Sequence, residues 1–381
     1  MDHEDGIAAS RIDPVCGMIG SIERHGHWFC SAACIAAFER GAASGHGLAR
    51  WLRDPWVWVP VSGVVLATAG WWWAAASPVS ALYRSYVHKV IGPYLLGLLL
   101  GGIIEHFVPH EYIVKLLSGS RKRVIARSTV LGFLASTCSH GCLALSIELY
   151  RKGASTPAVI SFLLASPWAS MSLTFILFSL FGPPALAIIL GALGIAFATG
   201  IIFQQLTERG LVEANPKTRS IAPDFSIRQD MARRWRDHAW TRTHLKEDAA
   251  GVIQGMLPLG RMMMGWVQLG LILSAVIGTF VPHDAFQRFL SPTAGGLLIT
   301  ILVASVIEVC SEGTAPLAFE FYRHTGELGN AFAFLMAGVV TDYTELAVVW
   351  KAIGRRTALW MIAVTLPMVF VLGMAFNFLR W

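Results

Sequence analysis

Apolar residues run along this chain in blocks long enough to cross a lipid bilayer, separated by short polar or basic stretches. Residues 55–76, 87–108, 157–181, 184–205, 252–281, 328–350 and 357–378 are each predicted as a membrane helix. Two more segments, 124–150 and the stretch leading to 308–313, are nearly as apolar but carry polar side chains and a glycine in mid-block. A glycine there frees backbone groups that hydrocarbon cannot satisfy, so both segments are predicted to be broken and to line a cavity. With 55% hydrophobic and 14% charged residues and a mean hydropathy of +0.56, the chain is expected to be an all-α polytopic membrane protein.

Charge then orders the segments. Arg121-Lys122-Arg123 with Arg127 marks a cytoplasmic loop, reached after helix 55–76 takes the chain out and helix 87–108 returns it. Residues 207–250 carry Arg233, Arg234, Arg236, Arg242 and Lys246, and Lys351 with Arg355 and Arg356 forms a later basic connection. All of these fall inside only if 124–150 is a re-entrant hairpin folded at Cys138 to Gly141; full crossings are the topological alternative and would make the repeats parallel. Met231 to Trp240 is predicted as an interfacial amphipathic helix. The net charge of +6 and 14 Trp fit basic loops and interfacial aromatic belts and do not call for a nucleic-acid partner.

At a spacing of about 172 residues the sequence repeats itself. Phe107-Val108-Pro109-His110 returns as Phe280-Val281-Pro282-His283, and Cys138-Ser139-His140-Gly141 as Cys310-Ser311-Glu312-Gly313. Glu148-Leu149-Tyr150-Arg151 returns as Glu320-Phe321-Tyr322-Arg323, and Phe162-Leu163-Leu164-Ala165 as Phe334-Leu335-Met336-Ala337. Three spans plus a hairpin is an odd number of crossings, so the halves are expected to be inverted repeats, each with its own re-entrant broken hairpin. The expected domains are a metal-binding module at 1–45, a linker and extra helix at 46–80, membrane repeats at 81–206 and 251–381, and a basic cytoplasmic loop at 207–250.

Inverted repeats bring their broken segments together near the midplane, which would set Cys138, His140 and Cys142 opposite Glu308, Cys310 and Glu312. Thiolates select Cu(I), Zn(II) or trivalent arsenic, and carboxylates suit proton exchange. Each cysteine taken alone reads as a small apolar filler; the cluster beside a helix-breaking glycine does not. Asp342, Glu345 and Glu105 are candidates for a coupling proton, while Glu148 and Glu320 are expected to pair with Arg151 and Arg323 at the membrane surface.

The first forty or so residues are too few to fold on a hydrophobic core alone. They read as a hairpin, 18–23 and 27–29 around a turn at His25-Gly26, followed by a helix capped by Ser31 and reaching Arg40, a ββα unit. Cys30 and Cys34 fall at the helix start, where thiolates are favoured, and Cys16 makes a third sulfur. Asp13-Pro14-Val15-Cys16-Gly17-Met18 with Phe29-Cys30-Ser31 and Cys34 closely resembles the YHS heavy-metal-binding module. The resemblance implies that Cys16, Cys30 and Cys34 bind a Cu or Zn ion, for sensing or delivery or as a structural zinc site.

The region from about Gly97 to Asn377 resembles the predicted-permease family that includes ArsP organoarsenical exporters and relatives proposed to export copper or zinc. Cys138-Ser139-His140-Gly141, Arg151-Lys152-Gly153-Ala154, Phe162-Leu163-Leu164-Ala165-Ser166-Pro167 and the second Cys-Ser-x-Gly carry the likeness. Family members often show Cys-Ser-Cys-Gly at the first break, where this chain has His140 and adds Cys142.

Together these imply a secondary-active efflux permease of the bacterial inner membrane, N-terminus cytoplasmic, exporting Cu(I) or next Zn(II) by proton exchange. The alternatives are export of trivalent arsenic or methylarsenicals, and a membrane metal sensor that transports nothing. No cofactor is expected beyond the metal ion of the module. No nucleotide-binding glycine loop, phosphorylatable Asp-Lys-Thr-Gly or nucleophile elbow occurs, so neither a nucleotide partner nor an enzyme is expected.

Overall fold

The computed structural model describes residues 22–29, 54–107, 122–134, 139–218, 242–307 and 310–379, with isolated positions between them. Contacts divide the chain into two units, Met1–Val61 and Ser62–Trp381. In the first, β1 (Ile22–Arg24) and β2 (His27–Phe29) form an antiparallel hairpin that pairs Ile22 with Phe29 and Arg24 with His27. Its turn is His25-Gly26, both with positive φ (54° and 74°), the geometry that suits the right-handed twist of a two-residue hairpin. Phe29 is fully buried against the ring of Phe38. Cys16, Cys30 and Cys34 lie outside the described residues, as does most of the helix expected at 31–40.

Helix α1 (Pro55–Trp72) leads to the second unit, which opens with α2 (Ser77–Phe107). The first half continues with α3 (Lys122–Leu134), α4 (Ser139–Arg151), α5 (Thr156–Ala169), α6 (Met171–Phe181) and α7 (Ala185–Glu208). The second half comprises α8 (Arg242–Phe280), α9 (His283–Phe289), α10 (Ala294–Val306), α11 (Ser311–Thr325), α12 (Leu328–Thr341), α13 (Tyr343–Ala352) and α14 (Arg355–Phe378). Starts at 122, 139, 156 and 171 recur at 294, 311, 328 and 343, so the spacing seen in the sequence carries over to whole elements. By length and composition five helices could cross a membrane, or up to seven if each bent pair is one span, among the described residues.

Packing recurs as well. α3 lies on α5 as α10 lies on α12, and α5 on α7 as α12 on α14, while α2 pairs with α8 and α5 with α12. All of α5 is buried, and Trp168 on it donates to the Met336 carbonyl of α12 at 3.2 Å. A helix buried all round needs apolar residues on every side, which explains the continuous run in the sequence.

Four expectations are corrected. Helices predicted unbroken over 157–181 and 328–350 are each interrupted, at Ser170 (ψ 155°) and at Asp342 (ψ 114°). The reason is capping: Ser170 Oγ accepts from the Leu173 amide at 3.2 Å, and Asp342 Oδ1 from Thr344 and Glu345 amides at 2.7 and 3.3 Å. Helix α8 starts at Arg242, well before the 252 expected. Glu148 pairs with Lys152 at 2.8 Å rather than with Arg151, as i,i+4 spacing favours. Glu320 does pair with Arg323, but it is fully buried rather than at the surface. Of the amphipathic stretch 231–240, all but Met231, Arg233 and Arg236 lies outside the described residues.

Candidate functional site

The second break supplies the candidate site. The chain leaves helical geometry at Cys310 (ψ 154°), and α11 begins at Ser311, placing Glu312 in its first turn. A helix N-terminus holds partial positive charge and unpaired amides, so a carboxylate is stabilised there. Glu312 is fully buried, 0% exposed. Its Oε2 accepts from Cys310 Sγ at 3.3 Å and from Ser311 Oγ at 3.0 Å. Its Oε1 accepts across the two halves, from Ser172 Oγ at 3.2 Å and Ser170 Oγ at 3.4 Å. The break in the second half therefore closes on the α5–α6 interruption in the first.

Two glycines bring the flanking long helices onto this cluster. A Cβ on Gly270 of α8 would overlap the Gly313 backbone, and one on Gly97 of α2 would overlap Ser172. Four elements thus meet around one buried carboxylate and one buried thiol, Cys310 being 6% exposed.

Chemically the arrangement offers a soft ligand, Cys310, whose proton already points at an acceptor. A soft cation held by Cys310 as its thiolate would displace that proton, and Glu312 Oε2 stands 3.3 Å from the sulfur as an acceptor for it. The hydroxyls of Ser170, Ser172 and Ser311 satisfy the carboxylate while it is charged.

Cys142 lies apart, in the seam of α4 and α5, fully buried and 3.9 Å from Ser146 Oγ and from the carbonyls of Phe162 and Leu163. His140 lies in the first turn of α4, and Cys138 and Glu308 fall outside the described residues. Asp342 is occupied as the cap of α13. Glu345, one turn on, is 1% exposed and its Oε1 has no hydrogen-bond partner among the described residues. Glu105 is exposed near the end of α2. No group of three His, Cys, Asp or Glu side chains arranged to hold a metal occurs among the described residues.

Sequence reasoning missed Ser170 and Ser172. A signal was present: Ser170-x-Ser172 stands in the repeat register of Asp342-x-Thr344, a polar pair interrupting an apolar run in each half.

Residues 75–378 match the family described as "Predicted permease". The chain is 22% identical over 282 residues to "UPF0718 protein YcgR" of Bacillus subtilis, covering 73% of this chain and 90% of that protein. It is 26% identical over 252 residues to "Putative permease Rv2963" of Mycobacterium tuberculosis, 61% of this chain and 60% of that one. A "Putative two-component membrane permease complex subunit" of Streptococcus mutans is 22% identical over 275 residues, 71% of this chain and 86% of its own length. No solved structure matches the chain.

Proposed function

Since the chain belongs to the predicted-permease family, matched over residues 75–378, we propose that it is a secondary-active exporter of a thiophilic metal ion. Cu(I) is the favoured cargo and Zn(II) the next, exchanged for protons across the inner membrane, with residues 1–45 capturing the ion on the cytoplasmic side. The observation that carries this reading is the buried Cys310–Glu312 contact closed by Ser170 and Ser172. Loading on the cytoplasmic side converts Cys310 from thiol to metal-bound thiolate and moves its proton to Glu312, which releases it to that side. Unloading on the other side leaves a thiolate that takes up a new proton there through Glu312, so one proton enters for each ion that leaves. Glu345, buried and with no partner for its Oε1 among the described residues, supports a second protonatable position in the membrane.

Contacts along α14 support the inverted arrangement. At its N-terminus Glu213 accepts from the Arg356 and Thr357 amides, and Asn215 beside it bonds the Tyr150 and Ala154 carbonyls at the mouth of the α3–α4 hairpin. At its C-terminus Asn377 donates to Asn330, which reaches the Leu290 and Ser291 carbonyls at the start of the α10–α11 hairpin. The two hairpins then open at opposite ends of one 24-residue helix. Arg151, Lys152, Arg355 and Arg356 gather at the first of these ends, the cytoplasmic one by the positive-inside rule.

The test is ion uptake into inverted proteoliposomes, comparing Cu(I), Zn(II) and trivalent methylarsenic for the intact chain, Cys310→Ser and Glu312→Gln. Accumulation of a metal ion that Cys310→Ser abolishes is the expected result. Accumulation of methylarsenic alone would replace the cargo, and unchanged uptake in both variants would remove the site.

A further inference from the structure

A second polar cluster lies at the other end of α11. Glu320, fully buried, accepts from Arg323 Nε and Nη2 at 3.0 and 2.8 Å on Oε2, and from the Tyr86 hydroxyl of α2 on Oε1. His324 Nε2 stands 3.3 Å from the same Oε2. His324 Nδ1 is 3.4 Å from His283 Nδ1 on α9, and His283 Nε2 is 2.9 Å from the Gln287 side-chain nitrogen. The His324 ring is stacked flat on Phe286, centroids 4.4 Å apart and 5° from parallel, which fixes its plane.

A neutral imidazole has one donor and one acceptor nitrogen, and an amide nitrogen only donates. Arg323 Nη2 also stands 3.3 Å from His324 Nε2 and can only donate, so it competes with Glu320 for that nitrogen. In the tautomer that places a proton between His324 and Glu320, Gln287 donates to His283 Nε2, His283 Nδ1–H to His324 Nδ1, and His324 Nε2–H faces Glu320. Exposure falls along the same line, from the exposed His283 through His324, 15% exposed, to Glu320 at 0%. The line of close polar contacts therefore runs from solvent to a buried carboxylate.

We propose that His283 and His324 form a proton relay into Glu320. A proton arrives at His283 Nε2 as the Gln287 amide turns aside. The His283 Nδ1 proton passes to His324 Nδ1, and the His324 Nε2 proton passes to Glu320 Oε2. Both imidazoles end neutral with their tautomers exchanged, and the only net change is that the carboxylate becomes a carboxylic acid.

Among the described residues, Arg323 is the charged group and Tyr86 the hydroxyl bonded to Glu320, and Gly278 of α8 lies against its carboxyl group. On α9, Asp284 and Arg288 are exposed. A carboxylate with no exposed surface keeps its charge only while Arg323 answers it. Neutralising Glu320 releases that pair and weakens the hold of α2 on α11, the helix whose first turn carries Glu312. The relay takes a proton as its ligand and stands independently of the cargo.

The experiment is time-resolved infrared difference spectroscopy of the full chain in nanodiscs after a jump from about pH 8 to about pH 5. The intact protein should develop a protonated-carboxyl band that Glu320→Gln lacks. In His324→Gln and His283→Gln the same band should form at least about tenfold more slowly, as loss of a positioned acid–base group predicts. Thermal melting of each variant separates misfolding from slow transfer, and Arg288→Gln, exposed on the same helix as His283, should leave the rate within about twofold. A band that persists in Glu320→Gln, or that forms at the unaltered rate in both histidine variants, would overturn the relay.

Discussion

Ser172, near the start of α6, donates a hydrogen bond at 3.2 Å to Glu312, near the start of α11, joining the two halves of the chain at their interruptions. Neither residue meets water, and each lies in the first turn of a helix that begins in mid-membrane sequence. A charged acceptor buried this way loses about 1.5–3 kcal/mol with each partner removed. Ser172→Ala should therefore lower thermal stability in detergent and slow transport in proteoliposomes, while Ser172→Thr, which keeps the hydroxyl, should recover part of both.

Glu312→Gln separates the two roles of that carboxylate. An amide still accepts from Ser170 and Ser172 but cannot take the Cys310 proton. Folding should survive, and metal uptake should lose its dependence on a proton gradient. Measuring uptake with and without an imposed gradient checks this; a gradient response equal to that of the intact chain would rule Glu312 out as the acceptor.

Gly270→Ala puts a methyl group against the Gly313 backbone at the second break. Overpacking of this kind costs about 1–3 kcal/mol, and backbone on the facing side cannot rotate away. The melting temperature should fall, whereas Gly194→Ala, at a glycine with open space beside it, should leave it unchanged.

Glu345→Gln removes a buried carboxylate whose Oε1 has no partner among the described residues. Stability should hold or rise, because desolvating an amide costs less than desolvating a charge. Proton-coupled uptake should nevertheless drop if this residue lies on the proton route. Unchanged coupling with unchanged stability would assign Glu345 to packing alone.

Glu213 gives the acid dependence of the α14 anchor. Burial pushes its carboxyl up, but hydrogen bonds from the Arg356 and Thr357 amides and the Thr357 hydroxyl outweigh this and hold it below the usual carboxylate range. With a lowered folded value, its contribution is complete above the unfolded carboxylate pKa and disappears as pH falls through the folded one. The melting-temperature difference between the intact chain and Glu213→Gln should be largest near neutral pH and close as acid is added. A difference that grew toward low pH would contradict the hydrogen-bond assignment.

Local rules made much of this architecture legible. The turn at His25-Gly26 follows from the need for two positive-φ residues in a two-residue hairpin, and the structure places it there. The broken second segment followed from Cys310-Ser311-Glu312-Gly313 inside an apolar block. The interruptions at Ser170 and Asp342 were hidden because α5 and α12 are buried all round: their apolar runs continue to the capping residue, so hydropathy reports one helix where capping makes two. Glu320 read as a surface partner of Arg323 because i,i+3 spacing sets the pair, whereas its depth is set by Tyr86 from a helix more than two hundred residues away.

The sequence alone determined that the chain is helical and membrane-embedded, that it repeats at about 172 residues, and where its second break falls. Length, hydropathy and glycine placement act within a single segment, so they need no partner to be read. Only the tertiary structure decided that Glu312 meets Ser170 and Ser172, that Cys142 sits in the α4–α5 seam, and that His283, His324 and Glu320 form one line. Those contacts join residues from separate helices, and their geometry depends on how close two backbones can come, which glycines such as Gly97 and Gly270 set only once the helices are packed.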